Sequence, residues 1–343
     1  MNVPASPDPS WDYCESMLPR VSRTFALNIA RLTGPLYRAV LIGYLLFRMA
    51  DTLEDSPILT EAEKVSALEG FALLFRRDAS AEAFATHARL LLQRMAGDTP
   101  EDNLLAHGAR VFRCYAGLPR PYREIIGRAL RESALGMAAY QRRKEAFPGT
   151  IFQLEDENDL TRYCYYVAGV VGKMLTDLFC QEEALAPLRA RLTRQQIHFG
   201  IALQMTNIVK DYPRDLPRGW CYLPRTVTDR LGLTVTRLAT DPLACRDAVS
   251  AAMIPRIIPH LDGAYRYVAL LPLSQRSIRM FCIIPFVLAY HTLAHLRRTG
   301  NDKLSREQVR RLLQDSETYC LSDEVLRADY ERTLRNAVSP GSW

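Results

Sequence analysis

Apolar residues recur at three- and four-residue spacing through nearly the whole chain. The pattern predicts helices around 36–52, 60–77, 81–96, 101–116, 121–143, 160–180, 193–212, 244–271, 276–298, 305–314 and 322–336. Alternating strand-like runs bounded by hairpin turns are absent, so an all-α fold is expected. No Pro-, Gly- or Ser-rich linker divides the pattern, and 343 residues with 48% hydrophobic content can bury a large core. One domain spanning 1–343 is expected, with loose tails at 1–12 and 338–343 where periodicity fails.

Two of the helical segments carry polar stripes. At about 100° per residue, Tyr44, Arg48, Asp51 and Asp55 (offsets 0, 4, 7, 11) share one face, and so do Gln204, Asn207, Asp211 and Asp215 (offsets 0, 3, 7, 11). The first stripe sits among Leu41, Leu45, Leu46, Phe47, Met49 and Ala50, and the second follows Phe199, Ile201 and Leu203. Both are therefore expected to point into the protein. Carboxylates there repel one another and lose hydration unless cations or donors compensate. Hard oxygen ligands, completed by water and phosphate, suit Mg²⁺. Either acidic cluster alone is as well explained by a solvated helix end; the matched pair, each with an amide or a cation on its stripe, points to metal held around a diphosphate.

Composition narrows the partners. Net charge is +6, with arginine dense between Arg110 and Arg143, which fits a solvated basic face or contact with anionic headgroups. No zinc-finger spacing, RNP-like motif or basic tail supports nucleic-acid binding. The 8 cysteines are scattered singly, without a CxxC pair or a signal peptide, so a reduced, cytoplasmic setting is expected. The longest charge-free apolar stretch, Met280 to Tyr290, is about eleven residues and contains Pro285, too short to span a bilayer. Membrane contact is expected to be peripheral. His291 and His295 stand at i and i+4 but lack an intervening glutamate and a third ligand. There is no GxG for a dinucleotide fingerprint or P-loop.

The stretch Tyr163 to Leu175 (YCYYVAGVVGKML) mixes aromatic, small and β-branched residues. Gly169 and Gly172 leave a thin helix face for another helix or a bulky apolar ligand, with two tyrosines beside it able to bond or carry a proton.

Five segments together resemble the squalene and phytoene synthase family of all-helical prenyl transferases: SRTFALNI from Ser22, YLLFRMADTLED from Tyr44, YCYYVAGVVG from Tyr163, LQMTNIVKDYPRD from Leu203 and FCIIPFVLAYHTL from Phe281. DTLED, YVAG and FCIIP look like squalene synthases; phytoene- and dehydrosqualene-type members usually have DxxxD without the glutamate. The resemblance implies a single-domain helical isoprenoid synthase fold around a central active-site cavity. It also implies head-to-head joining of two farnesyl diphosphates through presqualene diphosphate, then reduction by NADPH to squalene, a precursor for sterols or hopanoids.

By that resemblance Asp51, Glu54 and Asp55 hold Mg²⁺, or Mn²⁺ in its place, at one wall, and Asn207, Asp211 and Asp215 at the other. Arg23 and Arg48 contact diphosphate, with Ser22, Phe25, Tyr44 and Gln204 supporting. Lys210 stands where many members have arginine, keeping the charge but losing the bidentate fork. Tyr166 is the proton-handling tyrosine. Val167, Gly169, Val170, Leu175, Phe281, Cys282 and Pro285 line the farnesyl channels. The catalytic set is Tyr166, Arg48, Asp51, Asp55, Asp211 and Asp215. No residues for NADPH are assigned; Arg297, Lys303 and Arg306 fit a 2′-phosphate no better than a solvated surface. The polar chain end ADYERTLRNAVSPGSW is unlike the membrane-spanning end of eukaryotic squalene synthases. Dehydrosqualene, hydroxysqualene or phytoene synthase remain as alternatives, as do a non-catalytic lipid-binding or assembly factor and a cyclising terpene synthase.

Overall fold

The computed structural model describes residues 8–76, 80–95 and 97–338, without side chains at Arg23, 89–94 and Asn336. Its packing divides the chain into two compact units, Met1–Glu145 and Ala146–Trp343.

The first unit contains α1 (Pro9–Val21), α2 (Arg23–Ile29), α3 (Gly34–Asp55), α4 (Glu61–Leu74), α5 (Ala81–Arg94), α6 (Pro100–Ala106), α7 (Gly108–Ala116) and α8 (Arg120–Glu145). Helix α1 starts inside the segment expected to be loose: Asp8 caps it by accepting from the Ser10 amide, and Cys14, Met17, Leu18 and Val21 bury one face. The helix expected over 101–116 breaks at His107 into α6 and α7. Capping boxes at Thr60/Glu63 and Thr99/Asp102 fix the starts of α4 and α6. The core joins Leu41, Leu45, Leu46 and Met49 of α3 to Phe71, Phe84 and Phe112, the last two stacked at 4.9 Å. Much of the basic run is engaged at home: Arg142 bonds Glu69 at 2.5 Å and Lys144 bonds Glu61 at 2.8 Å.

The second unit contains α9 (Glu157–Cys164), a π-turn (Tyr165–Gly169), α10 (Val170–Phe179), α11 (Arg189–Thr193), α12 (Gln196–Asp215), α13 (Arg225–Arg230), α14 (Val235–Thr240), α15 (Pro242–Leu270), α16 (Arg276–Thr299), α17 (Arg306–Leu321) and α18 (Asp323–Val338). The only sheet among the described residues pairs β1 (Phe152–Gln153) with β2 (Trp220–Cys221) in parallel. Helix α12 packs against α10, α15, α16 and the π-turn.

Helix α16, expected over 276–298, runs unbroken through Pro285. By length and composition alone it is long and apolar enough to cross a bilayer. Two-thirds of its apolar window is buried, against α12, α15, α17 and α18, as befits a core helix. His291 Nε2 lies 2.9 Å from Asp329 Oδ2 of α18, and Tyr290 donates to the same oxygen at 2.6 Å. Burial pushes that carboxyl up, but these bonds and Arg332 outweigh it and hold it at about 2. The histidine serves packing.

The glycines of the thin face admit another helix. A Cβ on Gly200 of α12 would collide with the Ala168 carbonyl, and one on Gly172 with the Gln196 carbonyl, so the two segments touch backbone to backbone. Gly200→Ala is expected to destabilise by roughly 2 kcal/mol or more, because the obstacle is backbone and cannot rotate away. Urea unfolding checks this; an unchanged midpoint contradicts the close approach.

Candidate active site

In the first unit, α3 carries Tyr44, Arg48, Asp51 and Asp55 along one stripe. Asp51 and Asp55 line a cleft of about 310 Å³ with Arg48, Thr52, Ser56, Thr99, Glu101 and Asp102. The stripe is therefore half-open, where the sequence places it inward: the Asp51 side chain is 38% exposed. Glu54 departs from it. That residue is 6% exposed and absent from the cleft lining, because its position is a third of a turn round the helix from Asp55.

Arg48 Nη2 donates to Glu101 Oε1 at 2.7 Å and Nη1 lies 3.9 Å from Asp51. Glu101 and Asp102 were not anticipated. The signal lay in TPEDN, a capped helix start with acids in its first turn, but nothing in it names α3 as neighbour. Although one edge of Asp51 is open to solvent, the cleft walls crowd water away from its carboxyl; that desolvation, then the charge of Asp55, pushes it up to about 7 against the pull of Arg48. A cation beside the pair relieves both penalties. Ser22 caps α2 by accepting from the Phe25 amide at 3.2 Å. It also bonds the Tyr44 hydroxyl, which burial holds above the usual phenol range, and the Phe25 ring lies 5.3 Å from that of Tyr44. The structure thus brings Ser22, Phe25 and Tyr44 together; the side chain of Arg23 lies outside the described residues.

In the second unit, α12 carries Gln204, Asn207, Asp211 and Asp215. Asp211 is already balanced: Lys210 Nζ lies at 2.7 Å from one oxygen and Arg214 Nη1 at 2.8 Å from the other. Arg214 also reaches Asp302 at 2.8 Å, and Arg218 lies 3.7 Å from Asp215. Lys210 and Arg214 must swing aside for Asp211 to bind metal, whereas Asn207 is exposed. Among the described residues no three His, Cys, Asp or Glu side chains converge as a metal cluster.

Tyr166 sits half-buried in the π-turn, its ring 5.4 Å from Tyr165. Lys173 Nζ donates to Tyr165 at 2.8 Å, a pairing the sequence did not suggest. Phe281 and Cys282 are buried on α16, Phe281 edge-on to Phe179 at 5.7 Å. Val170 is buried, Val167 and Pro285 half-buried, and Gly169 faces Tyr165 and Ile201. These positions form packed apolar surface within the unit.

The model of one protein family, squalene/phytoene synthase, matches residues 18–314. The chain belongs to the squalene/phytoene synthase family. The match spans all five motif segments and stops within α17. Squalene synthase 1 of Arabidopsis thaliana is 29% identical over 299 residues, covering 84% of this chain and 65% of its own length. Squalene synthase of Homo sapiens is 30% identical over 284 residues, covering 82% and 62%. The chain thus spans under two-thirds of the length of these relatives. Among solved structures, TcSQS in complex with the ligand BPH1237 superposes with a TM-score of 0.74 at 24% identity, over 96% of this chain and 98% of that one. The likeness bears out the all-α isoprenoid synthase fold of the family.

Proposed function

We propose that this chain is a squalene synthase, a farnesyl-diphosphate farnesyltransferase that joins two farnesyl diphosphates through presqualene diphosphate and reduces the product to squalene with NADPH. The observation that carries the reading is the Asp51/Asp55 pair. Two carboxylates are held together in one cleft, one driven up to about 7, in a chain of this family. Both units are proposed to act as one catalytic domain.

Asp51 and Asp55, with Asn207, Asp211 and Asp215, would hold Mg²⁺, or Mn²⁺, which when bound neutralises the departing diphosphate. Arg48, steadied by Glu101, offers its guanidinium fork to phosphate oxygens. Lys210, released from Asp211, adds a point charge, and Ser22, Tyr44 and Gln204 support by hydrogen bonding. Glu54, three residues after Asp51 on the same helix, is proposed to add a buried carboxylate to this set. Tyr166 handles the proton lost on cyclopropane closure, and released diphosphate shares the task. Val167, Val170, Phe281, Cys282 and Pro285 supply apolar surface that excludes water from a reactive cation. NADPH, when bound, supplies hydride. Of the cations considered for its 2′-phosphate, Arg297 is engaged by Asp247, leaving exposed Lys303 and Arg306. Delivery of so apolar a product suits peripheral contact with a bilayer.

Incubation with farnesyl diphosphate and Mg²⁺, with and without deuterium-labelled NADPH, tests the reading by hydrocarbon analysis. Squalene carrying the label is expected with cofactor, and presqualene diphosphate or water-quenched products without it. A C30 product that is unlabelled and identical in both arms places the chain on the dehydrosqualene or hydroxysqualene branch.

A further inference from the structure

Apart from its acidic stripe, the second unit carries a pocket of about 360 Å³ lined by Arg191, Arg194, Gln195, Arg266, Ala269 and Leu270. Helix α11 and the turn into α12 supply the first three, and the last turns of α15 the others. Three guanidinium groups thus share one concavity with no carboxylate in its lining. Among the described residues, Arg191 and Arg194 form no hydrogen bond or ion pair. Arg266 is steadied by Gln195 Oε1 at 3.4 Å from its Nε.

Two acids near these arginines in sequence are committed elsewhere. Asp177 pairs with Arg189 at 2.7 Å, and Asp262, one turn before Arg266, accepts from Tyr330 at 2.8 Å. The adjoining imidazoles supply no negative charge either: His198 and His260 face each other with their Nδ1 atoms 3.0 Å apart. Burial and then Arg266 hold His198 below its usual range, and burial and then His198 hold His260 down to about 4. Three like charges around one pocket repel, and a multiply charged anion converts that repulsion into binding. The planar fork of arginine matches phosphoryl oxygens in pairs.

We propose that this pocket is an anion site for a phosphate or diphosphate group, free or as the headgroup of an amphiphile. Arg191, Arg194 and Arg266 grip the phosphoryl oxygens, and where the ligand is an amphiphile Ala269 and Leu270 meet its apolar part. The assignment is independent of the acidic stripes and of the reaction proposed for them.

Phenylglyoxal labelling of the full chain in EDTA, read at each arginine by mass spectrometry, tests it. The arms are inorganic diphosphate, phosphatidylglycerol vesicles and phosphatidylcholine vesicles, at matched ionic strength. Labelling of Arg191, Arg194 and Arg266 is expected to slow about fivefold once the ligand reaches about four times its Kd, while exposed Arg311 is unaffected. Protection by diphosphate in solution identifies a free anion; protection only by phosphatidylglycerol vesicles identifies a lipid headgroup. Either outcome upholds the site. Slowing equal to that at Arg311, or none in either anionic arm, overturns it. In Arg194→Ser/Arg266→Ser, which replaces two exposed residues and is expected to keep the fold, protection of Arg191 is lost; its persistence also refutes the proposal.

Discussion

Asp51→Asn and Asp211→Asn each lower turnover of farnesyl diphosphate by roughly 10²-fold or more, the usual consequence of removing one preorganised stabiliser of a developing anion. Asparagine keeps the shape and loses the charge, so the change isolates electrostatics. The stability arm separates a site role from a structural one. Asp51 is held above its ordinary range by burial and by Asp55, so ionising it costs the folded state more than the unfolded chain. That penalty is absent well below pH 4, grows as pH rises towards about 7, and is fully present above it. Metal-free Asp51→Asn is therefore expected to melt no lower than the parent, with an advantage that widens between about pH 4 and pH 7. At Asp211 the loss concerns a part-exposed pairing with Lys210 and Arg214, which contributes little to stability. Steady-state kinetics and thermal unfolding across pH check both variants. Near-parental turnover in either folded variant removes the two-wall metal arrangement, and a clear drop in melting temperature for Asp51→Asn would make that residue structural.

Arg279→Ala is expected to destabilise the protein by about 3 kcal/mol or more, from stranded buried carbonyls and a cavity. Its side chain is 0% exposed and donates to Val268 O at 3.1 Å, Leu271 O at 2.6 Å, Cys320 O at 3.2 Å and Asp323 Oδ1 at 2.6 Å. One guanidinium thus ties the end of α15, the turn before α16 and the junction of α17 with α18. Truncation strands the three carbonyls and opens a cavity, while the half-exposed Asp323 can be rehydrated. Arg279→Met, which keeps the stem volume, should lose less than alanine, and Arg279→Lys cannot span three carbonyls and a carboxylate with one ammonium. Urea denaturation gives the comparison; a loss under about 1 kcal/mol for Arg279→Ala would show that these bonds are replaced by water at little cost.

Periodicity alone recovered the long helices that position the site. Helices α3 and α12 are legible because apolar spacing near 3.6 marks the buried face and leaves the polar stripe as its complement. Failures came where a local backbone event overrides periodicity. The break at His107 and the π-turn at Tyr165–Gly169 change the register without altering the apolar pattern around them. Helix α1 was hidden by proline and serine at its start, although Cys14, Met17, Leu18 and Val21 mark a helical face. Helix α16 was legible through Pro285, because the apolar spacing continues on both sides of it.

The sequence by itself determined the helical class, the two acidic stripes and the family motifs, since each depends on spacing along one segment. Only the tertiary structure decided the partners of those residues. It buried Glu54, brought Glu101 to Arg48, and set Lys210 and Arg214 against Asp211. It also closed the Gly200 face with the backbone of Ala168 and gathered Arg191, Arg194 and Arg266 around one pocket. The reason is physical: helical spacing fixes the direction of a side chain about its own axis, whereas ion pairing, desolvation and steric contact act over a few ångströms between segments that only packing brings together.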